Sequence, residues 1–92
     1  MQSFLVHNSK DNVGVAVVDI KASQNVEGKA LDDGHSLQVT ALQDVPLGHK
    51  IALRDFKPGD TVVKYGEDIG RVVADIQTGA HVHVHNVKTK RW

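Results

Sequence analysis

The stretch Asp55-Phe56-Lys57-Pro58-Gly59 sets an acidic residue, an apolar residue, two variable residues and a glycine in order. The same order recurs in Asp44-Val45-Pro46-Leu47-Gly48 and Asp75-Ile76-Gln77-Thr78-Gly79, and Asp19-Ile20-Lys21-Ala22-Ser23 is a degenerate fourth copy. We interpret each copy as a short turn. Its Asp side chain accepts local backbone N–H bonds, its apolar residue points inward, and its glycine supplies a backbone conformation that other residues resist. The spacing of the copies is too irregular for a solenoid, so the simplest role is a reused turn between strands.

Between these turns the residue types favour β-strands. The chain has 15 Val and four Ile against six Leu and one Met, and branching at Cβ suits a pleated sheet better than a helix. We predict an all-β chain arranged as a small sandwich or barrel. The predicted hairpin with its turn at Asp33-Gly34 joins the third and fourth of these strands. The predicted strands cover residues 3–7, 13–18, 26–31, 37–42, 50–53, 61–65, 69–74 and 81–87.

Length and charge bound the possible functions. A chain of 92 residues fits one domain, residues 1–92, with a single shallow core and no deep cavity of its own. The absence of cysteine excludes disulfides, thiolate metal sites and thiol nucleophiles. Eleven basic and eleven acidic residues argue against nucleic-acid or anionic-membrane binding. No apolar stretch approaches the roughly 20 residues of a membrane span, and no signal-peptide pattern opens the chain, so we expect a cytoplasmic protein.

The strongest chemical signal is His81-Val82-His83-Val84-His85-Asn86. On a strand the three histidines would share one face and the valines would take the buried one. Neighbouring histidines would lie roughly 6.5–7 Å apart, which lets two of them bind one metal ion. His81 and His85 would be roughly 13 Å apart, so three-fold ligation would need a bend in the chain. A metal pair, or a ligand with a proton-transfer group, is favoured over a functionless polar row; imidazole suits iron, zinc, copper and nickel.

Other short motifs offer weaker signals. In Gly48-His49-Lys50 the glycine lets a ligand approach, while His and Lys offer proton transfer and a charge for an anion; a solvated strand start is the alternative. In Lys64-Tyr65-Gly66-Glu67-Asp68-Ile69-Gly70, a hairpin turn explains the two adjacent carboxylates better than an acid/base pair. There Lys64 and Tyr65 remain candidates at the edge of a site. Residues 87–92, with three basic residues and the only Trp, suit docking to a partner protein better than nucleic acid.

Three motifs in this order carry a resemblance to a known family: Pro46-Leu47-Gly48-His49-Lys50-Ile51-Ala52-Leu53, then Lys64-Tyr65-Gly66 with Ile69-Gly70, then His81 to Asn86. The chain resembles the small N-terminal domain of the altronate and galactarate dehydratases. That module also occurs as a separate small subunit, including the alpha subunit of sulfolactate sulfo-lyase. The closing Lys88-Thr89-Lys90-Arg91-Trp92 is most similar to that small subunit.

The resemblance implies a β-clip (SAF-like) fold and a lyase. A hydroxy acid would lose water, or 3-sulfolactate would lose sulfite to give pyruvate, with a divalent metal, commonly iron (Fe²⁺). A large catalytic subunit would carry most of the machinery and could hold most of the metal's ligands; the isolated small subunit could form a homo-oligomer. By position, His81, His83, His85 and Asn86 match the family's histidine-rich motif, and His49 and Lys50 match its Gly-His-Lys motif; the resemblance does not fix their roles. Our hypothesis assigns catalysis to His49, Lys50 and His85, metal binding to His81 and His83, and substrate binding to Lys64, Tyr65 and Asn86.

Three functions compete at this point. The first is the small subunit of a metal-dependent lyase, acting on sulfolactate or, alternatively, on a sugar acid of the altronate or galactarate type. The second is a non-catalytic module that binds sugar acids. The third is a metal-handling protein that uses the histidine row, which would bind metal tightly without a partner. A chain this short is expected to contribute one wall of a site to a larger partner.

Overall fold

The computed structural model describes residues 2–8, 10–64, 66–83 and 85–89. These residues contain no helix, and therefore none that could cross a membrane. The all-β prediction is confirmed. The strands are β1 Gln2–Val6, β2 Val13–Ala16, β3 Asn25–Ala30, β4 Ser36–Thr40, β5 Lys50–Ala52, β6 Thr61–Lys64, β7 Glu67–Val72, β8 His81–Val82 and β9 Val87–Thr89.

The strands form two sheets. One has six strands in the order β4-β3-β1-β2-β5-β8, and the other has three in the order β6-β7-β9. Neighbours are antiparallel except β1 and β3, which run parallel. The predicted hairpin is confirmed as β3–β4, and Gly34 in its turn has a φ of 78°. The hairpin predicted around Gly66 is confirmed as β6–β7, with Glu67 and Asp68 at the start of β7.

The last predicted strand is wrong in its extent. Residues 81–87 do not form one strand, because the chain turns after Val82 and divides them between β8 and β9. Val87 and Lys88 pair with β7, so the first half of the predicted docking tail belongs to the three-stranded sheet. Residues 90–92, the rest of that tail, lie outside the described residues.

The four turn copies pair two by two. Ile20 and Val45 exchange both backbone hydrogen bonds, at 2.9 and 2.8 Å, and form an isolated antiparallel bridge. Phe56 and Ile76 do the same at 2.7 and 3.0 Å. Turn 19–23 therefore packs against turn 44–48, and turn 55–59 against turn 75–79. All four apolar residues are buried, as the repeat predicted.

The Asp side chains cap the opposite turn of each pair. Asp19 Oδ1 accepts the Leu47 N–H at 2.9 Å, and Asp44 Oδ1 accepts the Ala22 N–H at 2.9 Å. The expectation of local bonds was wrong for these carboxylates, because the groups they satisfy lie 22 to 28 residues away in the sequence. The side-chain bonds thus fasten one turn to the other.

The second turn pair is capped on one side only. Asp55 Oδ1 accepts the Thr78 N–H at 2.8 Å and the Thr78 hydroxyl at 2.9 Å, and these bonds hold the pKa of the Asp55 carboxyl below its ordinary value. The equivalent group for Asp75 would be the backbone nitrogen of Pro58, which carries no hydrogen. The proline therefore removes the fourth bond of the set.

The turn pairs fill two separate apolar clusters, where the sequence predicted a single core. Ile20 and Val45 belong to the cluster around Phe4, while Phe56 and Ile76 belong to the cluster around Val62. Strand β5 separates the two, since Ile51 lies in the first cluster and its neighbour Ala52 in the second. Successive side chains of a strand point to opposite faces, so β5 has a core on each side.

Gly79 is constrained both by its positive φ and by a close backbone neighbour, whereas its counterpart Gly59 is constrained by its φ alone. Both have positive φ, 89° and 96°, but a Cβ at Gly79 would lie 2.0 Å from the Thr40 carbonyl oxygen, whereas a Cβ at Gly59 would meet nothing within 4 Å. We expect Gly59→Ala to lower the free energy of unfolding by about 1 kcal/mol. Gly79→Ala should cost about 1–3 kcal/mol more, because the Thr40 backbone must move. Urea unfolding of both variants tests this, and equal losses would contradict the close approach.

The carboxylate bonds give a second test with an internal control. Asp19→Ala removes the acceptor of the Leu47 N–H, and we expect a loss of about 0.5–1.5 kcal/mol in unfolding free energy. Asp75 has the same place in the repeat, but it lies opposite Pro58, which has no N–H to donate. Asp75→Ala should therefore change the free energy of unfolding by less than about 0.5 kcal/mol. Equal losses in the two variants, measured by thermal unfolding, would show that the bonds across the turns do not stabilise the fold.

Candidate functional site

His49 lies between a turn and a strand. It follows Gly48, whose φ of 86° ends the copy 44–48, and it directly precedes β5. Its N–H donates to the Pro46 carbonyl at 2.9 Å, and its own carbonyl accepts the Ala16 N–H at 2.8 Å. The backbone of His49 is therefore fixed on both sides, by the turn and by β2.

The register of β5 against β8 brings His49 to the histidine motif. Lys50 lies opposite Val82 and Ile51 opposite His81, so one step further along the same register His49 faces His83. The rings of His49 and His83 stack with centroids 4.1 Å apart and planes 20° apart. His81 precedes His83 by two residues and therefore shares its face.

His49, His81 and His83 form what we call the histidine cluster. The ring centroids are 5.0 Å apart for His49 and His81, and 5.6 Å apart for His81 and His83. His49 Nδ1 lies 2.8 Å from His81 Nε2, a hydrogen bond in which one of the two nitrogens carries the proton. All three side chains are half-buried, so the cluster is open on one side.

His85 lies beside the cluster because the chain bends. A straight strand would hold His81 and His85 roughly 13 Å apart, but their ring centroids are 5.2 Å apart. The strand ends at Val82, and the His83 carbonyl accepts the N–H groups of Asn86 at 3.1 Å and Val87 at 3.0 Å. This turn folds His85, which is exposed, back toward His81.

Two amide side chains hold the backbone of the histidine motif. Buried Asn86 accepts the His83 N–H on Oδ1 at 2.9 Å and donates from Nδ2 to the His81 carbonyl at 2.8 Å. Gln43 Oε1 accepts the His81 N–H at 2.9 Å. Asn86 therefore positions the cluster, and its predicted contact with substrate stays a prediction. The role of Gln43 was not predicted, because no sequence pattern connects an exposed glutamine to a histidine 38 residues later.

The two predicted lysines lie on strands of different sheets. Lys50 starts β5 and is half-buried, and Lys64 ends β6. The turn after Lys64 is fastened by buried Asp11, whose Oδ1 accepts the Gly66 N–H at 2.8 Å. Tyr65, predicted to bind substrate, lies outside the described residues.

The charges that act on these groups are basic. Burial lowers the pKa of Lys50, and the nearby Lys64 ammonium lowers it further. Burial also lowers the pKa of His81 and His83; His49 and His85 add to both shifts, and Lys50 to that of His83. A lowered pKa favours the neutral imidazole at neutral pH, and that form has a lone pair for a metal or a proton. The Lys50 and Lys64 ammonium groups attract anions, whereas the neutral imidazoles can bind a metal ion.

The histidine cluster could hold a transition-metal ion. One nitrogen of each ring can be chosen so that all three lie within 4.8 Å of one another. Imidazole nitrogens bind such ions at about 2.0–2.1 Å, so two nitrogens on one ion lie at most about 4.2 Å apart. The 2.8 Å pair of His49 and His81 meets that limit. The structure therefore adds His49 to the two histidines that the sequence assigned to a metal.

Comparison with known proteins agrees with the resemblance. Residues 2–90 match the family described as the altronate/galactarate dehydratase SAF domain. The chain is 51% identical over 90 residues to the (2R)-sulfolactate sulfo-lyase subunit alpha of Chromohalobacter salexigens, a match that covers 97% of this chain and 96% of that protein. The same-named subunit of Paracoccus pantotrophus is 57% identical over 60 residues, covering 65% of this chain and 90% of that one.

Longer proteins contain the same domain. The altronate dehydratase of Escherichia coli is 44% identical over 89 residues, which cover 97% of this chain but only 17% of that protein. Because the family match spans nearly all of the sequence, the chain belongs to the altronate/galactarate dehydratase SAF domain family.

Proposed function

We propose that this chain is the small subunit of a metal-dependent lyase that eliminates sulfite from (2R)-sulfolactate. The observation that carries the proposal is the 51% identity to a subunit of that name over almost the whole length of both chains. The altronate dehydratases match at 38% and 44% identity, which supports a sugar-acid dehydratase subunit less strongly.

The reaction needs a base, an anion site and help for developing charge. A base takes the proton from C2 of the substrate, and the C3–S bond breaks with its electron pair leaving on sulfite. The enol that forms between C2 and C3 becomes pyruvate when C3 takes up a proton and the C2 hydroxyl loses one. Substrate and leaving group are both anionic, which agrees with the basic surroundings of the cluster.

We assign roles from position. His81 and His83, joined by His49, would hold the metal ion, which we propose is Fe²⁺. When bound, the ion supplies a Lewis acid for negative charge on the substrate carboxylate. His85 lies outside the cluster, 5.2 Å from His81, and is exposed, so it is the proposed base. Lys50 and Lys64 would bind the substrate's anionic groups, with Tyr65 and Asn86 as further contacts.

The site lies on the surface of this chain, which argues for a partner. The cluster is half-buried and open on one side, whereas such a reaction needs water excluded. A large subunit would supply the other wall, and residues 90–92 remain a predicted docking segment for it. The cytoplasm is the proposed compartment.

Combining this chain with a partner subunit tests the proposed function directly. This chain should release no sulfite from sulfolactate alone, and should do so when combined with the partner subunit of the Chromohalobacter salexigens enzyme. Altronate offered to the same mixture should not react. Water loss from altronate in place of sulfite release would favour the dehydratase alternative, and sugar-acid binding without any reaction would favour the non-catalytic module.

The histidine assignments predict large losses of rate. In the reconstituted enzyme His49→Ala and His83→Ala should each lower sulfite release at least about 100-fold, because each removes a group of the proposed site. His35→Ala, in the β3–β4 turn, is the matched control and should leave the rate unchanged. Wild-type rates in both cluster variants would place the chemistry elsewhere.

The lysine assignment predicts a change in KM. Lys50→Met removes the half-buried ammonium while keeping most of the unbranched side chain, and should raise the KM for sulfolactate by about 10- to 100-fold. Lys57→Met, on an exposed turn, should have the KM of the wild type. If KM and kcat were both unchanged in Lys50→Met, this ammonium would not contact the substrate.

A further inference from the structure

Several large apolar side chains remain exposed in the described part of the chain, and they are unevenly placed. Three of them lie on segments attached to the histidine cluster, and we call these three the rim. Their exposed fractions are 48% for Leu42, 60% for Leu47 and 47% for Val73. Single exposed apolar side chains are common, but those on segments that adjoin a functional site indicate an interaction surface.

Each rim residue is tied to the cluster by a short connection. Leu47 lies two residues before His49, in the turn that delivers it. Leu42 directly precedes Gln43, whose side chain accepts the His81 N–H. Val73 donates its N–H at 2.9 Å to the carbonyl of Asn86, the residue that holds the backbone of His81 and His83.

An open groove adjoins the histidine motif at His85 and Asn86 and reaches the rim at Leu42. It has a volume of about 570 Å³, and its lining includes Leu42, Ile76 and Ala80 together with His85 and the exposed carboxylate of Asp75. Pockets of about 300–1,000 Å³ enclose drug-sized ligands. A three-carbon acid would leave most of this groove unfilled, so the groove has room for side chains of a larger partner.

The backbone groups at the edge of β8 limit how a partner can bind there. β8 is the last strand of the six-stranded sheet, but the His81 N–H is bonded to Gln43 and the His81 carbonyl to Asn86. These bonds close the edge to an added strand, the usual way of extending a sheet with a partner. The surface must therefore be recognised through side chains.

The comparisons indicate which partner that is. The same domain occurs in relatives named subunit alpha, of which it covers 96% and 90%, and as 17% of a single altronate dehydratase chain. A domain that is free in one enzyme and joined to a much longer chain in another needs the equivalent of that longer chain as its partner.

We propose that the rim and the groove form the docking surface for the large subunit, which covers the histidine cluster by inserting apolar side chains beside Leu42 and a basic side chain opposite Asp75. The inference rests on the proposed function. It fixes the face through which the two chains meet, and it explains why these leucines remain exposed on a chain this small.

Calorimetry with the partner subunit of the Chromohalobacter salexigens enzyme tests the surface, with the subunit alpha of that species as positive control. Leu42→Asp and Leu47→Asp should each raise Kd at least tenfold. Leu31→Asp is the matched control and should bind within twofold of wild type. Leu31 is 52% exposed but lies at the other end of the β3–β4 hairpin from Leu42, about 17 Å along β4. Unchanged melting temperatures would show that all three variants fold.

The outcomes separate this inference from the proposed function. If the wild-type chain restores sulfite release and all three variants bind equally well, the docking surface lies elsewhere while the proposed function stands. If the isolated chain forms a dimer that Leu42→Asp dissociates, the rim joins two copies of this chain and the inference is wrong. If the wild-type chain neither binds nor restores sulfite release, both are overturned.

Discussion

The bonds across each pair of turns are the constraint on which the rest of the structure depends. Two turns far apart in sequence face each other, exchange backbone hydrogen bonds through Ile20 and Val45 or Phe56 and Ile76, and are fastened by Asp carboxylates. Each pair also buries its apolar residues in one of the two clusters of the fold. Each pair of turns thus fixes the positions of both its members, and the described residues contain no helix that could do so.

The candidate site follows from these supports. Gly48 ends one turn and His49 comes directly after it, while Gly79 ends another and His81 follows two residues later. The β5–β8 register then sets His49 opposite His83. One turn from each pair therefore fixes where an imidazole lies, and the groove adjoins the histidine motif at His85 and Asn86.

Much of the local structure could be predicted from sequence, because it depends on neighbouring residues. The β3–β4 hairpin, the buried apolar residue of each turn and the positive φ at Gly48, Gly59 and Gly79 all follow from residue type and spacing. The chemical motifs around His49 and His81 were visible for the same reason. Ser23 in the degenerate copy has a φ of 74°, which its residue type does not predict.

Non-local relations could not be predicted. Nothing in a single turn indicates which other turn it will face, so the Asp bonds were expected within each copy. The bend after Val82 depends on Asn86 and on bonds to the His83 carbonyl, and it brings His85 to His81 against the extended-strand estimate. His49 meets His81 and His83 only because β5 and β8, about 30 residues apart, pair in one particular register. The sequence shows the histidines but does not indicate that register.

The central claim is that the paired turns bring His49 against His81 and His83 as one ligand group. Its most direct test is a Zn²⁺ titration of the isolated chain, with Zn²⁺ as a diamagnetic probe, followed by ¹⁵N NMR of the imidazole nitrogens. The account predicts that one nitrogen each of His49, His81 and His83 shifts together as Zn²⁺ is added, while His35 does not respond. Shifts confined to the 81–85 motif, with His49 unaffected, would contradict it.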